Sequence, residues 1–351
     1  MAYENELDRD MAAFIRALPK AELHVHLEGT IRPSTLLRLA RRHRIELPVD
    51  SEEGLRQFYK FRDFPHFIEV WVAVNQCLRG GEDFELVTLE LAEEADRQNI
   101  RYLEVTFTPY PHFHRKGVPW DEIIGGISSG VGQARRSREV EMRLIPDIAR
   151  ESYSAGLMVA AERTAEWAVA AKDMGVVALG LGGMEVGNPP EAFADVFAHA
   201  IENGLHSVPH AGETTGPQTI WGSLEHLKAE RIGHGIRCVD DPELVRHLRD
   251  HQIPLEICPT SNVCTGAVPS LEAHPIRRLY DEGVYVTVNS DDPPMFNTTL
   301  LDEYMLLAAR FGFSRDELAG LSLNAVRASF LSPEEKQRIE RQFQAEIDRI
   351  L

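Results

Sequence analysis

The chain has 351 residues, a formal net charge of −18 and four cysteines, none in a Cys-x-x-Cys pair. That charge excludes the basic patches that grip nucleic acid or an anionic membrane surface, and suits a small neutral or cationic substrate. The cysteine spacing supports neither a disulfide framework nor a zinc ribbon, so Cys77, Cys238, Cys258 and Cys264 read mostly as buried apolar residues.

The N-terminus, Met1-Ala2-Tyr3-Glu4-Asn5-Glu6, is acidic and has no apolar core of signal-peptide length. No later run approaches membrane-spanning length, and the expected location is cytoplasmic. Leu7 to Leu18 reads as an amphipathic helix able to cover one end of a barrel. Beyond it, short β-rich runs alternate with helical patterns, the signal for parallel βα units. The runs are Ala21 to Leu27, Arg101 to Thr108, Met142 to Ile148, Val176 to Leu181, His206 to His210, Arg231 to Ile236, Pro254 to Cys258 and Val284 to Asn289. Eight strands predict a closed (β/α)8 TIM barrel, a fold of about 250 residues that commonly carries insertions. The expected organisation is one domain over residues 1–351 with an N-terminal helix, a helical insertion after strand 1 and a C-terminal helix. The insertion, residues 32–78, is read as about two helices and is far longer than an ordinary βα connection. Leaving the first strand, it must emerge on the catalytic rim. In it Phe58, Phe61, Phe64 and Phe67 recur every three residues. That stripe either packs the inserted helices on the barrel or covers a ligand, with Phe61 as the expected contact. The tail from Ser332 opens Ser332-Pro333-Glu334-Glu335, an N-cap followed by proline in the first turn.

Four strand ends carry the chemistry. Val286-Thr287-Val288-Asn289-Ser290-Asp291-Asp292-Pro293-Pro294 runs a strand into two adjacent carboxylates, and a buried like-charged pair calls for a cation. His24 and His26 lie two apart on the first strand, so they share a face and both can point into the barrel. His210 closes the fifth strand and Asp291 the eighth, bringing four N/O ligands to one rim. Three imidazoles and one carboxylate suit one Zn2+, with tolerance for iron, cobalt or manganese. Such a site lowers the pKa of water and provides hydroxide near neutral pH. Glu213, three residues after His210 and past a glycine, is either a proton donor or acceptor to substrate or a helix N-cap carboxylate. His234 is either a residue that takes a proton from, or orients, the attacking water or a core histidine. Asp292 can hydrogen-bond the substrate.

The segments Leu23-His24-Val25-His26-Leu27-Glu28-Gly29, His210-Ala211-Gly212-Glu213, Arg231-Ile232-Gly233-His234-Gly235, Cys258-Pro259-Thr260-Ser261-Asn262 and Asn289-Ser290-Asp291-Asp292-Pro293 together resemble the successive motifs of the adenosine deaminase family, in the family's order and over nearly the whole chain. The resemblance implies a zinc barrel in which His24, His26, His210 and Asp291 bind the metal. It further implies that Glu213 protonates purine N1, His234 activates the hydroxide that attacks C6, and Asp292 meets N7. The backbone of Gly183, in Gly180-Leu181-Gly182-Gly183, would meet N3, and His26 would also face the substrate. The His-x-Glu and Pro-Cys-x-x-Cys signature of the nucleic-acid deaminases is absent.

Substrate is less settled by these motifs. Where adenosine deaminases carry the aspartate of a ribose-hydroxyl contact, this chain has Glu28, as do deaminases of free adenine and of 6-aminodeoxyfutalosine. Ile232-Gly233-His234 and Asn262 to Gly266 resemble the nucleoside-acting branch instead. The expected substrate is therefore a 6-aminopurine nucleoside, adenosine or a close analogue such as 6-aminodeoxyfutalosine, with adenine deaminase as the alternative. A two-metal hydrolase would want a bridging lysine or extra carboxylate from the fourth strand, which is lysine-free through Glu185. A purine-binding protein without catalysis would show a broken ligand or acid set, and the set is whole.

Overall fold

Apolar runs that are buried on both faces cannot stand at an edge, and here they close on one another. The computed structural model describes residues 3–351, so Met1 and Ala2 of the acidic N-terminus lie outside the described residues. Eight parallel strands pair in chain order: β1 (Lys20–His26), β2 (Ile100–Phe107), β3 (Glu141–Ala149), β4 (Ala178–Gly182), β5 (His206–Ala211), β6 (Ile232–His234), β7 (Leu255–Ile257) and β8 (Val286–Val288). Every residue of β1 is buried, as expected of a strand with barrel interior on one side and helices on the other. The strands are the eight expected from the sequence, with shifted ends. β6 stops at His234 because His234 and Gly235 both turn into the left-handed region, at φ 60° and 69°.

The seam between β8 and β1 is closed largely by groups beyond the end of β8. Asp291 donates its N–H to His24 O at 3.1 Å and accepts from His26 N–H at 2.9 Å. Asn289 Oδ1 accepts from the N–H groups of Leu23 and His24 at 2.9 and 3.1 Å. Glu22 Oε1 takes the Ser290 N–H and hydroxyl at 2.8 and 2.6 Å.

Helix α1 (Arg9–Ala17) is opened by Asp8, whose carboxylate accepts the Met11 N–H at 2.7 Å. It buries Phe14 and Ile15 against helices Leu300–Phe311 and Arg315–Ala328, beside the amino end of β1. The insertion after β1 contains three helices, one more than its sequence suggests: α2 (Pro33–His43), α3 (Glu52–Phe58) and α4 (Phe64–Asn75). Two fresh N-caps explain the extra break. Ser51 Oγ accepts the Gly54 N–H at 3.1 Å, and Asp63 accepts the His66 N–H at 2.9 Å with Pro65 in the first turn. Helix α5 (Gly81–Arg97) then leads into β2. The tail forms helix Pro333–Ile350 behind a Ser332/Glu335 capping box, burying Ile339, Phe343 and Ile347. Among the described residues no helix is long and apolar enough to cross a membrane.

An ion-pair network crosses the barrel interior. Arg231, fully buried at the start of β6, reaches Glu104 on β2 and Glu256 on β7, its Nε lying 2.6 Å from Glu256 Oε1. A third donor, Nη1, meets Ala328 O at 2.8 Å, and the guanidinium stacks 3.7 Å above the Phe330 ring. Replacing Arg231 by Leu leaves two buried carboxylates without their cation, a change worth about 3–5 kcal/mol. Arg231→Leu should therefore lower the thermal and urea midpoints sharply, and a second change, Glu104→Gln, should restore part of the loss. A single variant that melts with the wild type would show the network to be energetically idle.

Candidate active site

The strand ends expected to carry chemistry do converge. His24 and His26 point to one face of β1 and meet His210 from β5 and Asp291 from the turn after β8. One donor atom from each lies within 4.8 Å of the others. His26 Nε2 stands 3.2 Å from His210 Nε2, and Asp291 Oδ1 stands 3.4 and 3.3 Å from the Nε2 atoms of His24 and His26. Donors bonded to one small divalent ion at about 2.0–2.1 Å have separations of this size. His24 Nε2 is enclosed and has no hydrogen-bond partner. Positive charge is in demand here: burial opposes protonation of His24, yet the Asp291 and Glu256 carboxylates lift it to about 10. Against the same burial, the aspartates raise His26 to about 9. His210 is held well below its ordinary value, first by burial and then by its imidazole neighbours, and stays a neutral donor. The residues fit a single divalent cation. A second donor group, His234 with Cys258 and Asp291, fits less well, because burial pushes the Cys258 thiol up and keeps it protonated.

Three supporting contacts escape a reading by sequence. His24 Nδ1 lies 3.0 Å from Glu256 Oε2, and Ser261 donates to Asp291 Oδ2 at 2.6 Å. Burial works to raise Glu256, but Arg231 and His24 hold it below the usual range, so it stays an anion that orients the imidazole. Arg150, fully buried after β3, donates to the backbone oxygens of His210 and Asn188 and so fixes the end of β5. The Cys258 to Asn262 segment was visible as a motif, but which strand its side chains face depends on register.

Glu213 is buried, and burial together with Asp291 and Glu185 holds its carboxyl well above the usual range. It caps no helix; the next one, Pro217–His226, is entered through Gly216. Its loop is instead tied down by Glu185, which accepts backbone N–H groups from Gly212, Glu213, Thr214 and Thr215 at 2.7–3.2 Å. Glu185 is thereby committed to the loop. His234 is pushed down to about 3, by burial first and by His24 next, and is neutral. Its Nε2 faces Glu213 at 3.8 Å and Asp291 at 3.9 Å.

A relay fixes the His234 tautomer. The Ile276 N–H, which can only donate, reaches His274 Nδ1 at 3.2 Å. Neutral His274, pushed down to about 4 by burial, then carries its proton on Nε2 and donates to Asn262 Oδ1 at 3.2 Å. Asn262 Nδ2 donates in turn to His234 Nδ1 at 3.1 Å, leaving the His234 proton on Nε2, toward the cluster. His274 had no signal in the sequence.

These groups open into a cavity of about 270 Å³ that also holds Asp147, Gly183 and Asp292. Asp292 is raised well above the ordinary range by burial and then by Asp291, and its Oδ1 is buried without a partner. Gly183 sits at φ 97°, where a side chain would be strained and a Cβ would crowd the Glu151 carboxylate. Gly233 lets two rings close in: a Cβ there would stand 3.0 Å from His24 Cε1 and 3.1 Å from His210 Cα.

Two expected substrate contacts are placed elsewhere. Glu28 does not line the cavity. It is fully buried, its Oε1 taking the Thr108 N–H at 2.9 Å and meeting His112 Nε2 at 3.1 Å. Phe61 sits one layer back, packed edge-on against Phe67 and Phe296 with ring centroids 5.3 and 5.8 Å away. The aromatic wall is made instead by Phe64, Phe67 and Trp71 of α4, facing Tyr110 across the cavity.

The adenosine deaminase family model matches residues 19–346. An aminodeoxyfutalosine deaminase of Streptomyces avermitilis is 45% identical over 346 residues, covering 97% of this chain and 93% of that one. The crystal structure of an adenine deaminase from Arthrobacter aurescens superposes with a TM-score of 0.89 at 34% identity, covering 94% of this chain and 99% of the other. That of an amidohydrolase from Burkholderia ambifaria, with bound zinc, has a TM-score of 0.89 at 26% identity, covering 98% and 94%. A barrel with this donor cluster, this acid and this histidine, matched along nearly its full length, belongs to the adenosine deaminase family of hydrolytic aminohydrolases.

Proposed function

We propose that the chain hydrolyses the 6-amino group of a purine nucleoside, with 6-aminodeoxyfutalosine as the preferred substrate, and holds one zinc ion on His24, His26, His210 and Asp291. The observation that carries this reading is the shape of the site. The donor cluster and acid open into a cavity whose outer wall, Phe64, Phe67, Ile68, Trp71 and Tyr110, is apolar and aromatic. Free adenine would leave much of that wall uncovered, whereas a nucleoside with an aryl extension on its sugar would bury it. The similarity to an aminodeoxyfutalosine deaminase supports the same substrate. Three imidazoles and one carboxylate favour zinc, as does the zinc bound by the related Burkholderia amidohydrolase.

Zinc, when bound, supplies an activated water near neutral pH. The chain's own residues do the rest. Glu213, protonated because it is buried, donates to purine N1 and makes C6 electron-poor. His234 presents Nε2–H to the attacking oxygen and orients it, the role its relay from Ile276 favours over proton acceptance. Protonated Asp292 donates to N7 while the backbone N–H of Gly183 meets N3, holding the ring flat against the cluster. Of the two protons of the added water, one restores the proton that Glu213 gives to N1 and the other passes to the amino group, which leaves as ammonia as the C6–N bond breaks and C6 becomes a carbonyl.

Ammonia release from 6-aminodeoxyfutalosine, adenosine and adenine tests the substrate. The expected order of kcat/KM is that order, with adenine at least about tenfold behind adenosine, the size of effect a lost set of sugar contacts gives. An enzyme equally efficient on adenine would end the nucleoside reading. Glu213→Gln keeps shape but removes the acid, so kcat should fall by about 10²-fold or more with zinc retained. Loss of zinc without loss of rate after reconstitution would refute the role. Glu256→Gln removes the anion behind His24, and zinc affinity, measured by competition with a chelator, should weaken by about 10- to 100-fold.

A further inference from the structure

Asp147, on β3, has no counterpart among the motifs and no partner in the fold. It is 3% exposed, lines the cavity, and makes no hydrogen bond or ion pair with any described residue. Its Oδ1 is wholly enclosed and unpartnered. A buried carboxyl without a donor is costly, and packing alone does not retain one. The neighbouring strand is shaped around it. β3 and β4 pair Asp147 with Gly180 and Ala149 with Gly182. A Cβ on Gly180 would stand 2.7 Å from Asp147 Oδ1, and one on Gly182 would collide with Oδ2. Two glycines on one face of β4 thus keep open the space that the carboxyl occupies.

The order of strands says which part of a ligand Asp147 meets, given the purine orientation proposed above. In that orientation Glu213, just beyond β5, takes N1 and Gly183, just beyond β4, takes N3. Going one strand further round the barrel, to β3, corresponds to going one step further round the purine, from N3 through C4 to N9, where the sugar is attached. Glu28, the expected sugar contact, does not line the cavity, and its Oε1 is bound to Thr108 and His112. We propose that Asp147 is the specificity-determining residue for the sugar, its carboxyl accepting a hydrogen bond from a ribose hydroxyl of the nucleoside. This rests on the nucleoside reading of the site.

The test uses the zinc-loaded enzyme with adenosine, 2′-deoxyadenosine and 3′-deoxyadenosine, and adenine alongside. In the wild type, kcat/KM should fall by about 10- to 100-fold on loss of the contacted hydroxyl, the size of effect for leaving a buried acceptor unpaired. In Asp147→Ala the ratio of adenosine to that deoxynucleoside should collapse toward one. Asp147→Asn, which keeps the volume if the alanine variant does not fold, should cut the ratio several-fold, because an amide presents one acceptor oxygen where a carboxyl presents two. If the wild type distinguishes neither deoxynucleoside from adenosine, or if both variants discriminate as the wild type does, the assignment of Asp147 is wrong and the nucleoside reading stands. If adenine is the better substrate of the wild type, the nucleoside reading itself fails first.

Discussion

Everything in the site hangs on the backbone of Asp291. It follows β8 at φ 66°, a left-handed conformation that costs a non-glycine residue stability unless its surroundings impose it. They do: its N–H and C=O are both spent on β1, at His24 and His26, and these two bonds close the barrel at the rim. The same bonds fix the position of its carboxylate beside the imidazoles of those two residues. Seam and ligand set are therefore one structure. His234, the other strained residue of the site at φ 60°, ends β6 in the same way and turns its ring toward the cluster.

Behind the rim the charges are ordered by depth. Arg231 bridges Glu104 and Glu256 in the barrel interior, and Glu256 also meets His24. Removing Arg231 leaves buried carboxylate charge uncompensated, and Glu256 meets both Arg231 and His24, so the stability of the barrel and the orientation of a candidate metal ligand are coupled through a single carboxylate. At the rim the two neighbouring aspartates divide their roles. Burial raises both, but the imidazoles of His24 and His26 beside it overcome burial for Asp291, while Asp291 itself drives Asp292 further up. One is then an anion fit to hold a cation, and the other an acid able to donate to a ring nitrogen.

How much of this was legible in the sequence follows from what each feature depends on. The strands and the His24/His26 pair were legible because their signals are local, an apolar run and a spacing of two. The contacts of Glu256, Asn289 and Ser261 were not, because each acts across a strand boundary, and register is set by the whole sheet. The phenylalanine stripe misled for a related reason. Phe58 ends α3 and Phe64 begins α4, with Phe61 in the link between, so the apparent period runs over two helices in different directions and cannot define one face. Glu28 was misplaced because the motif fixes its position in the chain but not its rotamer, which the Thr108 N–H and His112 decide.

The aromatic wall and the turn that carries Asp291 are joined by packing. Phe296 lies four residues beyond Asp292 and donates its own N–H to the Asp292 carbonyl at 3.1 Å. Its ring stacks on Phe67 at 5.3 Å, with Phe61 edge-on to both. Phe67 in turn lines the cavity from α4. A ligand that presses on this wall therefore presses, through one ring, on the turn that carries Asp291 and Asp292. Phe61 meets both rings edge-on, so its place is in the packing behind this wall rather than at its surface. The wall is thus held by the chemistry it encloses. A nucleoside of the kind proposed above would cover this wall and help to exclude water from the acid and the histidine, whereas a bare purine would leave the wall uncovered.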